Sequence, residues 1–244
     1  MDELIYTIVM THITMVFATL YLHRGLSHKT LEFKPVFEHF IRFWLWLTDG
    51  VHMKEWVATH RKHHRFTDVE GDPHSPVIWG IKKIAFSDFF ATSYYRYRNF
   101  APQWQVEAYG VGTPDDWMER NVYVPYQRMG LVLLLLINLL LFGWTGIIVW
   151  LIQVFWTPFW SGSIVTGFAH YWGGYHNEKA KDNSKNLPFL GFFLIGDNMH
   201  SNHHAEPANA KLSHKWWEFD LGWCYIKLWE KLGLVKIVNR GKYE

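Results

Sequence analysis

The chain has 244 residues, a formal net charge of +2 at neutral pH and a single cysteine, Cys224, while aromatic residues make up 18% and charged residues 19%. The length predicts one domain over residues 1–244, and the aromatic-rich, charge-poor composition favours heavy burial or a membrane interface over an ordinary soluble surface. One cysteine excludes an intramolecular disulfide and a cysteine-rich zinc or iron–sulfur site, and the near-neutral charge gives no argument for nucleic-acid binding.

Three apolar stretches could cross a bilayer, over residues 4–22, 129–142 and 146–168. The last two together are too long for one crossing of about 20 residues. The segment Gly143-Trp144-Thr145-Gly146 separates them, so it is predicted as the tight turn of a helical hairpin. Within the three spans, His12 is the polar residue that stands out.

A fourth apolar stretch, over residues 36–51, is shorter and is interrupted by charged residues. If it crossed the membrane, His23 and His60 would lie on opposite faces and could not share a site. We therefore predict an amphipathic helix that lies at the membrane interface.

The placement of basic residues predicts the orientation. All 24 lysines and arginines fall in two blocks, from Arg24 to Arg128 and from Lys179 to Lys242. The positive-inside rule places both blocks in the cytoplasm. The predicted fold is thus an all-α integral membrane protein with three spans, an interfacial helix and a cytoplasmic, histidine-rich helical cap over residues 52–128 and 177–244.

A repeated histidine grouping points to metal binding. The pattern His-x-x-His-His occurs as His60-Arg61-Lys62-His63-His64 and, 140 residues later, as His200-Ser201-Asn202-His203-His204. A third pair, His23 and His28, precedes both. Eight imidazoles in this pattern predict a multinuclear metal site.

Helical geometry suits such a site. On a helix His60 lies beside His63 and His64, whereas the adjacent pair diverges by about 100° and can address two metal ions. The second grouping repeats this geometry.

The first pair is spaced differently. His23 and His28 are five residues apart, which a regular helix does not align. We therefore expect the first helix to end near His23 and the chain to bend through Gly25.

The donor type narrows the choice of metal. Zinc bound by three or four neutral histidines is common, but zinc has no redox chemistry and one ion does not need eight ligands. Iron suits imidazole and supports oxygen activation. Two irons that share eight or nine histidines match the count best.

The three histidine groupings resemble the histidine boxes of the membrane fatty-acid desaturases, and nearly the whole chain fits that pattern. Further similarities are Glu70-Gly71-Asp72-Pro73-His74 after the second box, and Ala169-His170 followed by Gly173. The segment from Lys211 to Asp220 is similar to the tail of bacterial delta-nine acyl desaturases.

The resemblance implies an oxygen-dependent enzyme that introduces a double bond into a long-chain fatty acyl substrate threaded between the spans. It implies a substrate carried on CoA, on a lipid or on acyl carrier protein, and an electron donor such as a ferredoxin, a rubredoxin or a small b-type cytochrome. It also implies a bacterial inner membrane, with the site facing the cytoplasm. Its two iron ions would be held by nine ligands, with His170 as the ninth: His23, His28, His60, His63, His64, His170, His200, His203 and His204.

Four departures from the family pattern stand out. The chain begins too late to supply one more span before the first box. Thr166 stands where many relatives have Asn. The segment Asp197-Asn198-Met199 precedes the third box, where relatives usually have Glu. Ala58 lies where animal acyl-CoA enzymes often have Arg. The side chains expected beside the metal ligands are Thr166, Asp197, Asn202 and Asp72.

A basic patch lies beside the second box. Its simpler interpretation is a solvated surface that faces lipid headgroups, and the alternative is a binding site for the phosphates of an acyl carrier, formed by Arg61, Lys62 and Arg65. The patch consists of Arg61, Lys62, Arg65, Lys82 and Lys83.

Two other functions stay open. The same diiron scaffold could hydroxylate a fatty acid, convert it to an acetylene or decarboxylate it oxidatively. A non-enzymatic membrane metal-binding or transport protein is the alternative from another class. Transport would require polar residues within the spans, and we note only His12 there.

Overall fold

The computed structural model describes residues 2–87 and 102–240, so the parts of the predicted cap that fall on residues 88–101 and 241–244 lie outside the described residues. The fold is mostly helical. Its α-helices are α1 (Asp2–Phe17), α2 (Pro35–Thr48), α3 (Met53–Phe66), α4 (Pro76–Trp79), α5 (Ile81–Ser87), α6 (Gln103–Tyr109), α7 (Met129–Phe142), α8 (Gly146–Thr157), α9 (Gly191–Leu194), α10 (His200–Ala205) and α11 (Leu221–Lys231). The π-helical segments are Ala18–Ser27, Glu119–Tyr123 and Pro158–Gly167, and the 3-10 turns are Gly143–Thr145, Phe168–His170 and Pro188–Leu190.

Helix α1 continues without a break as the π-helix Ala18–Ser27. Hydrogen bonds in a π-helix join residues five apart and so bring them to the same side. The backbone amide of His28 accordingly donates to the carbonyl of His23 at 3.3 Å. The prediction that the helix ends near His23 and bends through Gly25 is therefore wrong, because the helix widens instead of ending.

The turn predicted at Gly143 is present between α7 and α8. Gly143 has φ +60, a conformation that glycine adopts at little cost. A Cβ atom on Gly146 would lie 2.2 Å from the carbonyl oxygen of Asn138, so the two helices approach closely beside the turn. The indole of Trp150 also donates to the carbonyl of Leu131 at 2.8 Å.

Two helical stretches are long and apolar enough to cross a membrane, Asp2–Ser27 and Met129–His170. The second contains the turn at Gly143–Thr145. The number of crossings and their direction remain predictions.

A buried polar cluster joins these stretches. The hydroxyl of Tyr6 donates to Asn138 Oδ1 at 2.9 Å, and Asn138 Nδ2 donates to Gln153 Oε1 at 2.7 Å. Such hydrogen bonds hold helices together where lipid offers no partner. The expectation that His12 alone is polar within the spans is therefore wrong, since Asn138 and Gln153 lie within them.

Helix α2 forms where an interfacial helix was predicted, with Pro35 in its first turn, where proline is well tolerated. Its buried Arg42 pairs with Asp116 at 2.5 Å and with Glu119 at 2.9 Å. These ion pairs tie α2 to the loop that precedes α7. Whether α2 lies at a membrane surface stays a prediction.

The all-α prediction needs one correction. Strand β1 (Leu31–Phe33) pairs antiparallel with strand β2 (Val235–Ile237), and Glu32 lies opposite Lys236. This small sheet joins the chain just after the first histidine box to the end of the described residues.

Arg24, between the first two box histidines, links the same two regions and is only 1% exposed. Its guanidinium donates to both carboxylate oxygens of Asp220, at 2.8 and 2.9 Å, and to the carbonyls of Ala210 and Ile195. A bidentate pair of this kind fixes orientation as well as distance. The first box is thus fixed to the C-terminal region.

Candidate metal centre

Four structural elements bring the predicted ligands together. The π-helix after α1 supplies His23 and its C-cap His28, and α3 supplies the second box. His170 ends the second apolar stretch, and α10 supplies the third box.

Helix α10 has only six residues, too few for stability on its own. The side-chain oxygen of Asn186, from a preceding loop, accepts hydrogen bonds from the backbone amides of Ser201 and Asn202 at 2.9 and 3.2 Å. These amides belong to the first turn, which has no partners within a helix. Asn186 therefore caps the helix that carries the third box.

The nine histidines form two groups, within each of which the candidate ligand atoms lie within 4.8 Å of one another. Each adjacent pair is divided between the groups, as the divergence on a helix predicts. The five-histidine group contains His23, His28, His60, His64 and His203, and the four-histidine group contains His63, His170, His200 and His204.

Nitrogen atoms meet closely inside both groups. The Nε2 atoms of His23 and His203 are 2.9 Å apart, and those of His170 and His200 are 2.8 Å apart. Among the residues that the structure describes, the buried Nε2 of His204 has no hydrogen-bond partner. An inward nitrogen left unpaired beside other imidazoles is the arrangement that a metal ion would complete.

The charge state also suits a metal. Burial, followed by the charges of neighbouring histidines, lowers the pKa of six of these imidazoles well below the usual value, which keeps them neutral: His28, His60, His64, His200, His203 and His204. Neutral imidazole is the form that binds metals. Both groups therefore fit transition-metal ions that accept nitrogen ligands.

Carboxylates hold the outer nitrogen of several ligands. Asp197 accepts a hydrogen bond from His23 Nδ1 at 3.1 Å, and Asp72 accepts one from His63 Nδ1 at 2.9 Å. Both aspartates were expected beside the ligands. Burial alone would raise the pKa of Asp72, but its interactions with His63 lower the pKa overall, so the carboxylate stays ionised.

Two further carboxylates were missed by the sequence analysis. Asp68 accepts from His170 Nδ1 at 3.1 Å, and Asp182 accepts from His204 Nδ1 at 2.7 Å. Burial raises the pKa of Asp68, but the hydrogen bond and charge of His170 outweigh this and leave it at about 2. Asp68, four residues after the second box, could have been suspected, whereas Asp182 lies in a loop with no recognisable pattern.

The other two side chains expected beside the ligands, Thr166 and Asn202, form hydrogen bonds to other partners. The hydroxyl of Thr166 donates to the carbonyl of Ser161 at 3.0 Å. Asn202 Nδ2 donates to Glu218 at 2.8 Å and to the carbonyl of Leu212 at 3.1 Å. Asn202 thus connects the third box to the C-terminal region.

The basic patch is largely engaged in structural contacts. Arg61 donates to the backbone carbonyls of four residues: Leu26, Ser27, Tyr109 and Val111. Lys62 donates to Gln105 at 2.7 Å, while Arg65 is exposed and lies beside the ring of Phe66. Lys82 borders a small apolar pocket, and Lys83 lies over Trp79. The donors of Arg61 are thus used to hold the first box and the loop after α6 against α3.

A cavity of about 530 Å³ reaches both histidine groups, since its wall includes His60 of one and His63 of the other. Thr166 lines it, as does Asp49, whose pKa burial raises to about 7. The volume is that of a small-molecule binding site. Apolar side chains form much of its wall: Leu131, Val132, Trp150, Val154, Phe155 and Val165.

The fold and site define a helical protein that has two helical stretches long and apolar enough to cross a membrane and a buried multi-histidine centre beside an apolar cavity. Residues 4–227 match the family model for fatty acid desaturase. The chain is 31% identical to Delta-9 desaturase-like 1 protein of Arabidopsis thaliana over 98% of this chain and 77% of the relative. It is 28% identical to Delta-9 acyl-lipid desaturase 1 of the same plant, over 91% and 70%.

A third similar protein is Acyl-CoA C20 Delta5-desaturase of Anemone leveillei, 32% identical over 88% of this chain and 67% of the relative. The chain belongs to the fatty acid desaturase family. It is accordingly an oxidoreductase that acts on fatty acyl chains, and the resemblance drawn from the histidine boxes is confirmed.

Proposed function

We propose that the protein is an oxygen-dependent fatty acyl desaturase that binds two iron ions, one in each histidine group. The observation that supports this most is the division of nine histidines into a group of five and a group of four, both reached by one cavity. A single structural zinc ion would need four ligands. A redox reaction on an unactivated chain favours iron over zinc.

When bound and reduced by an external electron carrier, the irons would supply oxygen activation. The chain's own residues would orient the ligands and the substrate. Asp72 and Asp182 accept Nδ1 protons from His63 and His204, which directs the Nε2 lone pairs inward. The apolar cavity wall would hold adjacent methylenes beside His60 and His63 and exclude water.

Positioning would determine where the double bond forms. Methylenes in an alkyl chain differ little in reactivity, so depth of entry into the cavity selects among them. The relatives are named as acyl-lipid and acyl-CoA enzymes, and we propose a long-chain acyl group on CoA, a lipid or acyl carrier protein as the substrate. Because Arg61 is engaged with backbone carbonyls and Lys62 with Gln105, the exposed Arg65 is the better candidate for contact with a carrier.

The proposed setting is the bacterial inner membrane, with three spans, α2 at the interface and the metal centre on the cytoplasmic side. The absence of basic residues from positions 1–22 and 129–176 supports this orientation. A ferredoxin, a rubredoxin or a small b-type cytochrome would deliver the electrons.

The test is expression in a host of defined lipid composition, followed by mass spectrometry that locates double bonds in its fatty acids. The native chain is expected to introduce an internal double bond. His63→Ala and His203→Ala, one from each group, are expected to abolish it. His39→Ala, an exposed histidine outside both groups, is the matched control and is expected to leave the product unchanged.

Each contrary result has a distinct meaning. An unchanged product with both His63→Ala and His203→Ala would refute the two-group centre. An alcohol, an alkyne or a shortened alkene would retain the centre and replace desaturation by a related reaction. Redox-silent zinc in the purified protein, without oxygen uptake on addition of reductant, would favour a non-enzymatic metal-binding protein.

A further inference from the structure

The segment between the second apolar stretch and the third box exposes aromatic rings. Residues 186–196 contain no charged residue and no histidine. Phe189 is 96% exposed and Phe192 is 59% exposed. Exposed apolar surface of this kind marks contact with another protein or with a membrane.

This segment packs against both candidate spans. The ring of Phe192 stacks on His12 of α1 with centroids 5.3 Å apart, and the ring of Phe193 stacks on Trp160 at 4.6 Å. His12 precedes His23 by eleven residues, which at 1.5 Å per residue places it about 16 Å from His23 along the helix. The aromatic segment therefore lies well away from the histidine groups along α1, on the side toward the N-terminus of that helix.

The exposed face of α1 is continuous with the segment. Ile8 and Val9 are 51% and 48% exposed, and they precede His12 by four and three residues, which puts them on its side of the helix. Because α1 is a candidate membrane span, this face would contact lipid. Phe192 extends that face directly.

Helix α11 adds to the same surface. The hydroxyl of Tyr225 lies 2.7 Å from His12 Nε2, so the polar ring in the middle of α1 has an internal partner. Leu228 and Leu232, three and seven residues further on, are 50% and 62% exposed. A paired polar group surrounded by exposed apolar side chains is the arrangement that a lipid environment requires.

We propose that the segment Pro188–Leu194, together with the exposed edge of α11, is inserted into the bilayer beside α1. This inference is independent of the proposed reaction. It revises the expectation that residues 177–244 lie wholly in the cytoplasm.

Insertion would have a consequence for the metal centre. Helix α9 is followed closely by Asp197, which holds His23, and by His200. The lipid contact would therefore anchor the third box at the membrane surface, where acyl chains are located.

The test uses full-length protein with Cys224→Ser, which removes the single native thiol. One cysteine is then introduced as Phe189→Cys, as Phe192→Cys or, as the matched control, as Lys181→Cys on the exposed loop of the cap. Each variant is reconstituted in phospholipid nanodiscs. Reaction with a charged maleimide is measured, and the quenching of a thiol-linked fluorophore by brominated acyl chains is measured in parallel.

Positions 189 and 192 are expected to react at least about ten times more slowly than position 181, because the reactive thiolate forms in water. They are also expected to be quenched by brominated lipid, whereas position 181 is not. Labelling at positions 189 and 192 as fast as at 181 would overturn the proposal. Slow labelling without quenching would also overturn it, since a protein partner would then cover the surface.

Discussion

The two histidine groups differ in how their ligands are supported. Among the residues that the structure describes, one ligand of the five-histidine group, His23, has a carboxylate on its outer nitrogen. In the four-histidine group three ligands do, through hydrogen bonds to Asp72, Asp68 and Asp182. The group with fewer ligands therefore has the more extensive support.

The two metal positions are therefore not equivalent. A carboxylate on the outer nitrogen fixes the tautomer and ring orientation and makes the ligand more basic. The four-histidine group is thus prepared for its ion by fixed side chains, whereas the five-histidine group relies on the number of its ligands.

Removing a ligand should affect the two groups unequally. His170→Ala leaves three ligands in the four-histidine group, and we expect iron to fall from two ions per chain to one and desaturation to stop. His28→Ala leaves four ligands in the other group, and we expect both ions to remain. Iron per chain, measured by plasma mass spectrometry, checks this, and retention of two ions by His170→Ala would contradict the contrast.

The buried pair of Arg24 and Asp220 should support the five-histidine group, because Arg24 directly follows His23. Asp220→Asn leaves the Arg24 charge buried with a weaker partner, and we expect the unfolding free energy to fall by up to about 3–5 kcal/mol. Thermal unfolding followed by tryptophan fluorescence measures the loss. Asp115→Asn, at an exposed pair with Arg120, is the matched control and should change stability little.

The carboxylates that hold the ligands of the four-histidine group should control the affinity for the ion in that group only. Asp182→Asn keeps the shape of the side chain but weakens its hold on His204, and we expect about 10–100-fold weaker binding of the ion in the four-histidine group. Iron retained over a graded series of chelator concentrations gives the affinity. Equal weakening of both ions would show that the groups do not bind independently.

The native protein should lose its two irons at different rates. We expect the ion of the five-histidine group to leave first, about tenfold faster, because within the described part of the chain only His23 of its five ligands has a carboxylate partner. Rapid mixing with a chelator in a stopped-flow instrument, followed by the absorbance of the iron–chelator complex, would show two phases of iron loss. Asp182→Asn should accelerate only the slow phase, and acceleration of the fast phase would reverse the assignment.

The features that could be predicted from the sequence are those with a local pattern, such as a repeated motif or a pair of glycines between apolar stretches. The repeated boxes identified eight of the nine clustered histidines, the family resemblance added His170, and the glycines identified the turn at Gly143. Asp182 was missed because its partner, His204, is brought to it by folding and by no local pattern. The π-helix was missed because the widening that aligns His23 with His28 depends on hydrogen bonds that composition does not reveal.

The small sheet was missed for a related reason. β1 and β2 are three residues each and lie at opposite ends of the chain, so neither has a detectable alternation of its own. Asn138 and Gln153 were visible in the sequence, but their pairing across the hairpin became evident only with the helices in place.

The most direct test of the two-group centre is anomalous diffraction at the iron absorption edge from crystals of the purified protein. We predict two iron peaks, one surrounded by the Nε2 atoms of the five-histidine group and one by those of the four-histidine group. A single peak, or peaks that appear only at the zinc edge, would contradict the account.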